Sequence, residues 1–177
     1  IFSSIKSIIN LAIKEQGLLC QNVFAATFIP DDDASKRRLP IPIEALFAIQ
    51  KECIEIDDEI RWLLALISDT GMRLSEAVGL HVDDIIIDQS IPFIDLKPHP
   101  WRSLKTTGSQ RQIPLIGTSY WAAKRVKHYN KGYAFSRYIN QSEVNSNSAS
   151  AAINKWLKPR TPDGCVVHSF RHSIRDR

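Results

Sequence analysis

Two pairs of side chains in this chain stand at helical spacing and carry types that could work on a phosphate: Arg73 with Glu76, and His168 with Arg171. Residues three apart on a helix share a face, so each pair presents its two side chains together. Guanidinium forks are permanently charged bidentate donors, suited to the negative charge that builds on nonbridging oxygens when a phosphodiester is displaced. A lysine or histidine placed nearby could protonate a departing hydroxyl, a step worth about 10²–10⁴ in rate. Taken singly, each pair has a plainer explanation. Arg-x-x-Glu is a common exposed salt bridge worth roughly a few tenths of a kcal/mol, and His-x-x-Arg at a helix start can simply be solvated. His168 and His172 are also spaced to hold zinc, but Ser169 stands where the zinc-hydrolase string needs glutamate, and no third ligand is evident. No metal and no cofactor are therefore expected, and no phosphate-binding glycine motif of the nucleotide or dinucleotide kind occurs.

Charge is distributed unevenly. Residues 1–95 carry eight Lys/Arg against sixteen Asp/Glu, whereas residues 96–142 carry nine basic residues and no acid. Such asymmetry fits a face made for a polyanion, nucleic acid being the commonest, although a solvated surface would look the same from charge alone. Lys97, Arg102, Arg111, Lys124, Arg125 and Lys127 are the candidate DNA-backbone contacts. The 44% hydrophobic content is that of a globular protein with one ordinary core. No apolar run approaches the ~20 residues of a membrane span. Cys20, Cys53 and Cys165 lie far apart with no CxxC, which argues against a disulfide framework or a zinc ribbon and for a reducing compartment.

The elements that must position these residues are legible from periodicity. SIKSIINLAIKEQGLL spaces Ile5, Ile8, Ile9, Ala12 and Ile13 at helical intervals, with Gly17 placed to stop the helix. A proline-rich, charged linker follows, so residues 1–29 are assigned to the end of a preceding domain, 30–40 to the linker, and 41–177 to the main domain. Helices are expected over Pro42 to Cys53 and Asp57 to Ser68, then a short one entered through Thr70 and Gly71 and ended near Gly79. IPFIDL and RQIPL read as short strands around the turn TTGSQ, with Pro92 and Pro114 confined to edges or strand ends. YWAAKRVKHYN is a basic helix. NSNSASAAINKWLK supplies caps for another, with Ala152, Ile153 and Trp156 inward, and HSFRHSIRDR opens the last. Trp62 and Trp156 are expected in the core, while Trp101 and Trp121 are set among basic residues.

Three strings in order carry a resemblance. DTGMRLSEAVGL (69–80) resembles the first arginine box of the tyrosine recombinases, the phage integrase family; LKTTGSQRQIPL resembles the hairpin bearing that family's lysine; and HSFRH (168–172) resembles the second box. The resemblance covers the chain from the linker to its end, and its three matches are jointly far more specific than any one. It implies that Arg73 and Arg171 grip the scissile phosphate, that Lys105 is the general acid for the leaving 5′ oxygen, that His168 transfers protons, and that Glu76 orients the site.

The resemblance further implies a mainly helical α+β catalytic domain with a small antiparallel sheet, whose hairpin holds Lys105 over the phosphate. The reaction would be site-specific recombination or integration through a 3′-phosphotyrosine. In such a family the third box and the nucleophilic tyrosine follow the second box. Tyr120, Tyr129, Tyr133 and Tyr138 all precede it, so no nucleophile is expected within these 177 residues and the chain reads as an excised fragment unable to cleave by itself. Double-stranded DNA is the implied partner, with a homotetramer on DNA for the complete protein and a monomer for this piece. No membrane association is expected, and the implied location is the bacterial or phage-infected cytoplasm, at the nucleoid. An inert DNA-binding or assembly module of the same fold is the main alternative, and a type IB topoisomerase-like enzyme a lesser one.

Overall fold

The computed structural model describes residues 2–27, 39–140 and 143–175. The chain divides into two compact units, residues 1–36 and 37–177. In the first, α1 (Phe2–Gln16) ends at Gly17, whose φ of 59° is the left-handed conformation that glycine adopts without steric cost. The Asn22 side-chain amide ties the following turn back to α1 through the Lys6 carbonyl and Asn10. Most of the expected linker lies outside the described residues.

The second unit is mainly helical. α2 (Ile43–Ile56) and α3 (Glu59–Thr70) are separated by Asp57, in the left-handed region, and Asp58, whose carboxylate accepts the Arg61 N–H as an N-cap. α3 is the centre of the unit: every residue from Trp62 to Ser68 is buried, and α2, α5 (Gly117–Tyr129) and α7 (Ser169–Arg175) pack on it. A helix buried on all sides needs apolar residues all round, and LLALI supplies them. α4 (Leu74–Val78) is a single turn packed against α6 (Ser146–Leu157).

A three-stranded antiparallel sheet runs β1 (Ile85–Ile86), β2 (Phe93–Leu96) and β3 (Arg111–Pro114), with β2 central and Leu96 opposite Arg111. Pro114 closes the edge strand β3 and Pro92 precedes β2, positions where a missing N–H costs the ladder nothing. β1 was not anticipated from sequence, its two residues being too few to show alternation. A two-stranded ribbon, β4 (Ile139–Asn140) with β5 (Glu143–Val144), leads into α6, where Asn145 caps by accepting the Ser148 N–H. The expected α+β architecture with a small antiparallel sheet is thus observed. Trp62 is in the core as expected. Trp156 is only half-buried, covered by the guanidinium of Arg160 at 4.1 Å and that of Arg61 at 5.4 Å.

Candidate active site

The short string after α3 is built differently from its sequence reading. Asp69 and Thr70 finish α3, Gly71 caps it at φ 60°, and α4 begins only at Leu74, leaving Arg73 as the residue before the helix. Arg73 and Glu76 still meet. The Arg73 backbone N–H donates to Glu76 Oε2 at 3.0 Å, and its Nη1 donates to Oε1 at 2.6 Å. Glu76 therefore caps the turn and clamps the side chain of the same residue, accepting from Arg73 twice and so fixing the guanidinium rotamer.

Glu76 is buried, at 3% exposure, and its carboxylate accepts a second guanidinium: Arg111 Nη2, from the first residue of β3, lies 3.1 Å from Oε2. Arg111 Nη1 also donates to the Ser109 carbonyl at 2.7 Å, so this arginine joins the sheet to the Arg73 turn. Burial pushes the Glu76 carboxyl up, but the hydrogen bonds from the Arg73 backbone, the Arg73 side chain and Arg111 outweigh it and hold the group below the ordinary glutamate range. It is ionised at neutral pH.

Arg171 arrives from the far end of the chain. α7 is fastened by Ser173, whose Oγ accepts the Ile41 N–H at 2.8 Å, and the segment before it by Asn154, whose Oδ1 accepts the Val167 N–H at 2.8 Å. From there Arg171 Nη1 donates to the Gly71 carbonyl at 2.8 Å. Thr70, Gly71, Arg111, Arg171 and Ile174 line one open cleft of about 330 Å³, room enough for a tetrahedral oxyanion. Gly71 is required there twice over: its φ is positive, and a Cβ would lie 3.0 Å from Ile174 Cδ1. His168 precedes α7, half-buried, with its ring 5.3 Å from that of His172 in an edge-to-face arrangement. Among the described residues no cluster of three or more His, Cys, Asp or Glu suited to a metal is present.

Lys105 stands apart from that cleft. It is exposed on the connection between β2 and β3 and lines a second cavity with Ser75, Trp101, Arg102, Ser103 and Glu143. Ser75 belongs to α4, so this second cavity borders the Arg73-to-Glu76 turn, which the first cleft reaches through Arg111 and its contact with Glu76.

A sequence model described as the phage integrase family matches residues 42–176. The chain belongs to the phage integrase family. Among solved structures it resembles the Tn1549 transposon integrase (residues 82–397 of that protein) in complex with circular intermediate DNA, with a TM-score of 0.63 at 19% identity over 98% of this chain and 62% of that one. A tyrosine-to-phenylalanine variant of the same integrase with transposon right end DNA gives 0.64 at 18% identity, over 98% and 63%. This chain therefore spans less than two thirds of those integrase chains. No curated protein matches significantly.

In this phage integrase family member the basic stretch does not behave as one surface. Arg102, expected to contact DNA, is instead buried: its side chain is 2% exposed, with Nη1 donating to the Glu76 carbonyl at 3.0 Å, Nη2 to the Lys97 carbonyl, and Asp84 at 3.5 Å. Burial lowers its pKa, with Asp84 and Glu76 opposing the drop. Arg111 is likewise committed to Glu76 and Ser109 rather than free on the surface. Lys97 is half-exposed and paired with Asp84 at 3.6 Å and Asp95 at 3.4 Å. On α5, Lys124 is exposed and lies over the Tyr120 ring, Arg125 pairs with Asp57 at 2.9 Å, and Lys127 donates to the Ile85 carbonyl at 2.8 Å. These three line one cavity with Trp121 and His128.

Sequence reasoning missed Asp84, fully buried, which accepts His99 Nε2 at 2.8 Å and collects Lys97 and Arg102. It also missed Asp69, whose carboxylate accepts the Thr118 and Ser119 N–H groups at the start of α5. Both are ordinary acids in the sequence. Only their long-range partners distinguish them.

Proposed function

We propose that this chain forms the phosphate-holding part of a tyrosine recombinase that cleaves and rejoins double-stranded DNA at specific sites, the complete protein acting as a homotetramer on DNA. The observation that carries the reading is the convergence of Arg111 and Arg171 on one cleft beside the Arg73–Glu76 clamp. Two guanidinium groups on one buried carboxylate, with the third lining the same cleft as Arg111, leave an excess of fixed positive charge, which suits a phosphodiester as its negative charge grows.

In this scheme Arg73 and Arg171 hold the nonbridging oxygens and Glu76 fixes Arg73. Lys105 protonates the leaving 5′ oxygen, and His168 moves protons to and from the attacking group. Lys105 sits on a loop in a neighbouring cavity, so bound DNA would have to draw it toward the arginines. That is compatible with a long connection carrying few buried side chains. The nucleophile is a tyrosine placed after the second box in family order. It makes a 3′-phosphotyrosine that conserves the bond energy, and a 5′ hydroxyl reverses the step. Lys124, Arg125 and Lys127 are proposed to follow the DNA backbone. The published relatives hold transposon DNA, and their likeness supports the fold in which these groups meet.

The test is a nicked suicide duplex carrying the element's own attachment site, incubated with the protein at its natural length and denatured. A covalent adduct that disappears in Arg73→Ala and Arg171→Ala, with DNA binding weakened only modestly, supports the proposal. An adduct that persists in both variants, or binding without any adduct, refutes it.

A further inference from the structure

We infer that Arg111 is a charge-balancing positioning residue, which offsets Glu76 so that Arg73 and Arg171 can face an anion. The inference rests on the proposed phosphate site and adds to it a residue outside both arginine boxes. Glu76 clamps Arg73 well, but the clamp has a cost at an anion site. A buried carboxylate 2.6 Å from the guanidinium cancels its charge, so Arg73 and Glu76 alone would offer an incoming phosphate a neutral pair. Burial sharpens the effect, because the Glu76 side chain is only 4% exposed and water cannot screen it.

Arg111 supplies what is lost. Its Nη2 lies 3.1 Å from Oε2, the oxygen that already accepts the Arg73 backbone N–H, while Oε1 is left to the Arg73 side chain. The arrangement Arg73–Glu76–Arg111 carries one net positive charge. Both arginine side chains keep about a third of their surface exposed, with Arg73 at 31% and Arg111 at 32%. Arg171 rests on a neutral carbonyl and, among the described residues, forms no ion pair, so it adds its own charge. Arg111 is held for this task from a second direction by the Ser109 carbonyl, and it lines the same cleft as Arg171. A residue recruited only to track DNA would not need to sit on a buried carboxylate.

The experiment reads the site without requiring cleavage. The chain is labelled with ¹⁵N-arginine and titrated with inorganic sulfate while the side-chain Nε–Hε resonances of Arg73 and Arg171 are followed. Sulfate shifts both resonances in the unsubstituted protein. Arg111→Gln weakens the titration by about tenfold, and adding Glu76→Gln to it recovers affinity to within about threefold, because the uncompensated negative charge is gone. Arg111→Lys, which keeps the charge and the fold but not the fork, also stays within about threefold.

Unchanged affinity in Arg111→Gln overturns the inference. So does a double variant as weak as the single one, which would mean that Arg111 touches the anion itself or only supports the fold. If Arg111→Gln does not fold, Arg111→Lys decides: loss of sulfate affinity in that folded protein overturns the charge argument. If sulfate moves neither resonance in the unsubstituted protein, the phosphate-site reading itself falls, a failure distinct from the others.

Discussion

Replacing Gly71 with alanine tests whether the end of α3 and the position of α7 are one structural problem. An alanine at φ 60° must adopt the left-handed region, which costs an L-residue roughly 1–2 kcal/mol. The added Cβ would lie 3.0 Å from Ile174 Cδ1, so the Ile174 tip must shift by a few tenths of an ångström or leave its rotamer, at about 0.5–1.5 kcal/mol. Together these give a loss of roughly 1.5–3.5 kcal/mol. For a unit of this size, at about 3–5 °C per kcal/mol, that is roughly 5–18 °C in the midpoint of thermal unfolding. Gly164→Ala is the internal reference: its φ is 89°, and an added Cβ meets nothing within 4 Å, so it carries the backbone strain without the contact. Calorimetry of both variants should show Gly71→Ala losing about 1 kcal/mol more than Gly164→Ala. The Gly71 carbonyl holds Arg171, so its sulfate-induced shift should weaken in the first variant and survive in the second. Equal losses, or a Gly71→Ala protein as stable as the original, would refute this account of how α7 is seated.

Three further outcomes follow from the structure. Arg102→Ala should cost about 2–3 kcal/mol in urea unfolding, because it strips partners from the buried Asp84 and the Glu76 carbonyl. Lys124→Ala should stay within about 0.5 kcal/mol of the original and lower the slope of log affinity for DNA against log salt by about 0.9. The opposite ranking would reverse their assignment to core and surface. For Glu76, whose folded pKa is depressed, stability is fully present above the ordinary glutamate range and is lost as pH falls through the lowered folded value. Unfolding midpoints followed from about pH 6 down to about pH 3 should therefore fall less steeply in Glu76→Gln, and parallel curves would contradict the shift.

The helices were legible because their apolar residues recur with helical period and their ends carry caps: Asp58, Gly71, Gly79 and Asn145 all stand at or beside observed termini. The same reading placed Arg73 inside a helix, whereas Gly71 ends α3 two residues earlier and the Arg73–Glu76 contact is made across a helix start. A three-residue spacing is compatible with both geometries. Arg102 was harder. In a run of nine basic residues without an acid, a count of charge suggests surface everywhere, and nothing local marks the one arginine that is buried. Its signal lies elsewhere, in Gly79, where a Cβ would sit 2.6 Å from Arg102 Cδ. From sequence that glycine had a sufficient explanation as a helix stop, and the second reason becomes visible only once the β2–β3 connection is folded over α4.

The two glycines of DTGMRLSEAVGL therefore do related work at opposite ends of the string. Gly71 admits Ile174 and offers its carbonyl to Arg171, while Gly79 admits the Arg102 stem and offers its carbonyl to Trp101 Nε1 at 3.0 Å. Between them the Glu76 carbonyl takes Arg102 and the Glu76 carboxylate takes Arg73 and Arg111. One twelve-residue segment thus receives the second arginine box at its start and the lysine-bearing connection at its end. Most of those attachments are made by backbone carbonyls, which every sequence has, and the side chains determine only which carbonyls are left accessible. The order in which the three strings converge is therefore carried less by the residues that resemble catalysts than by the small residues beside them.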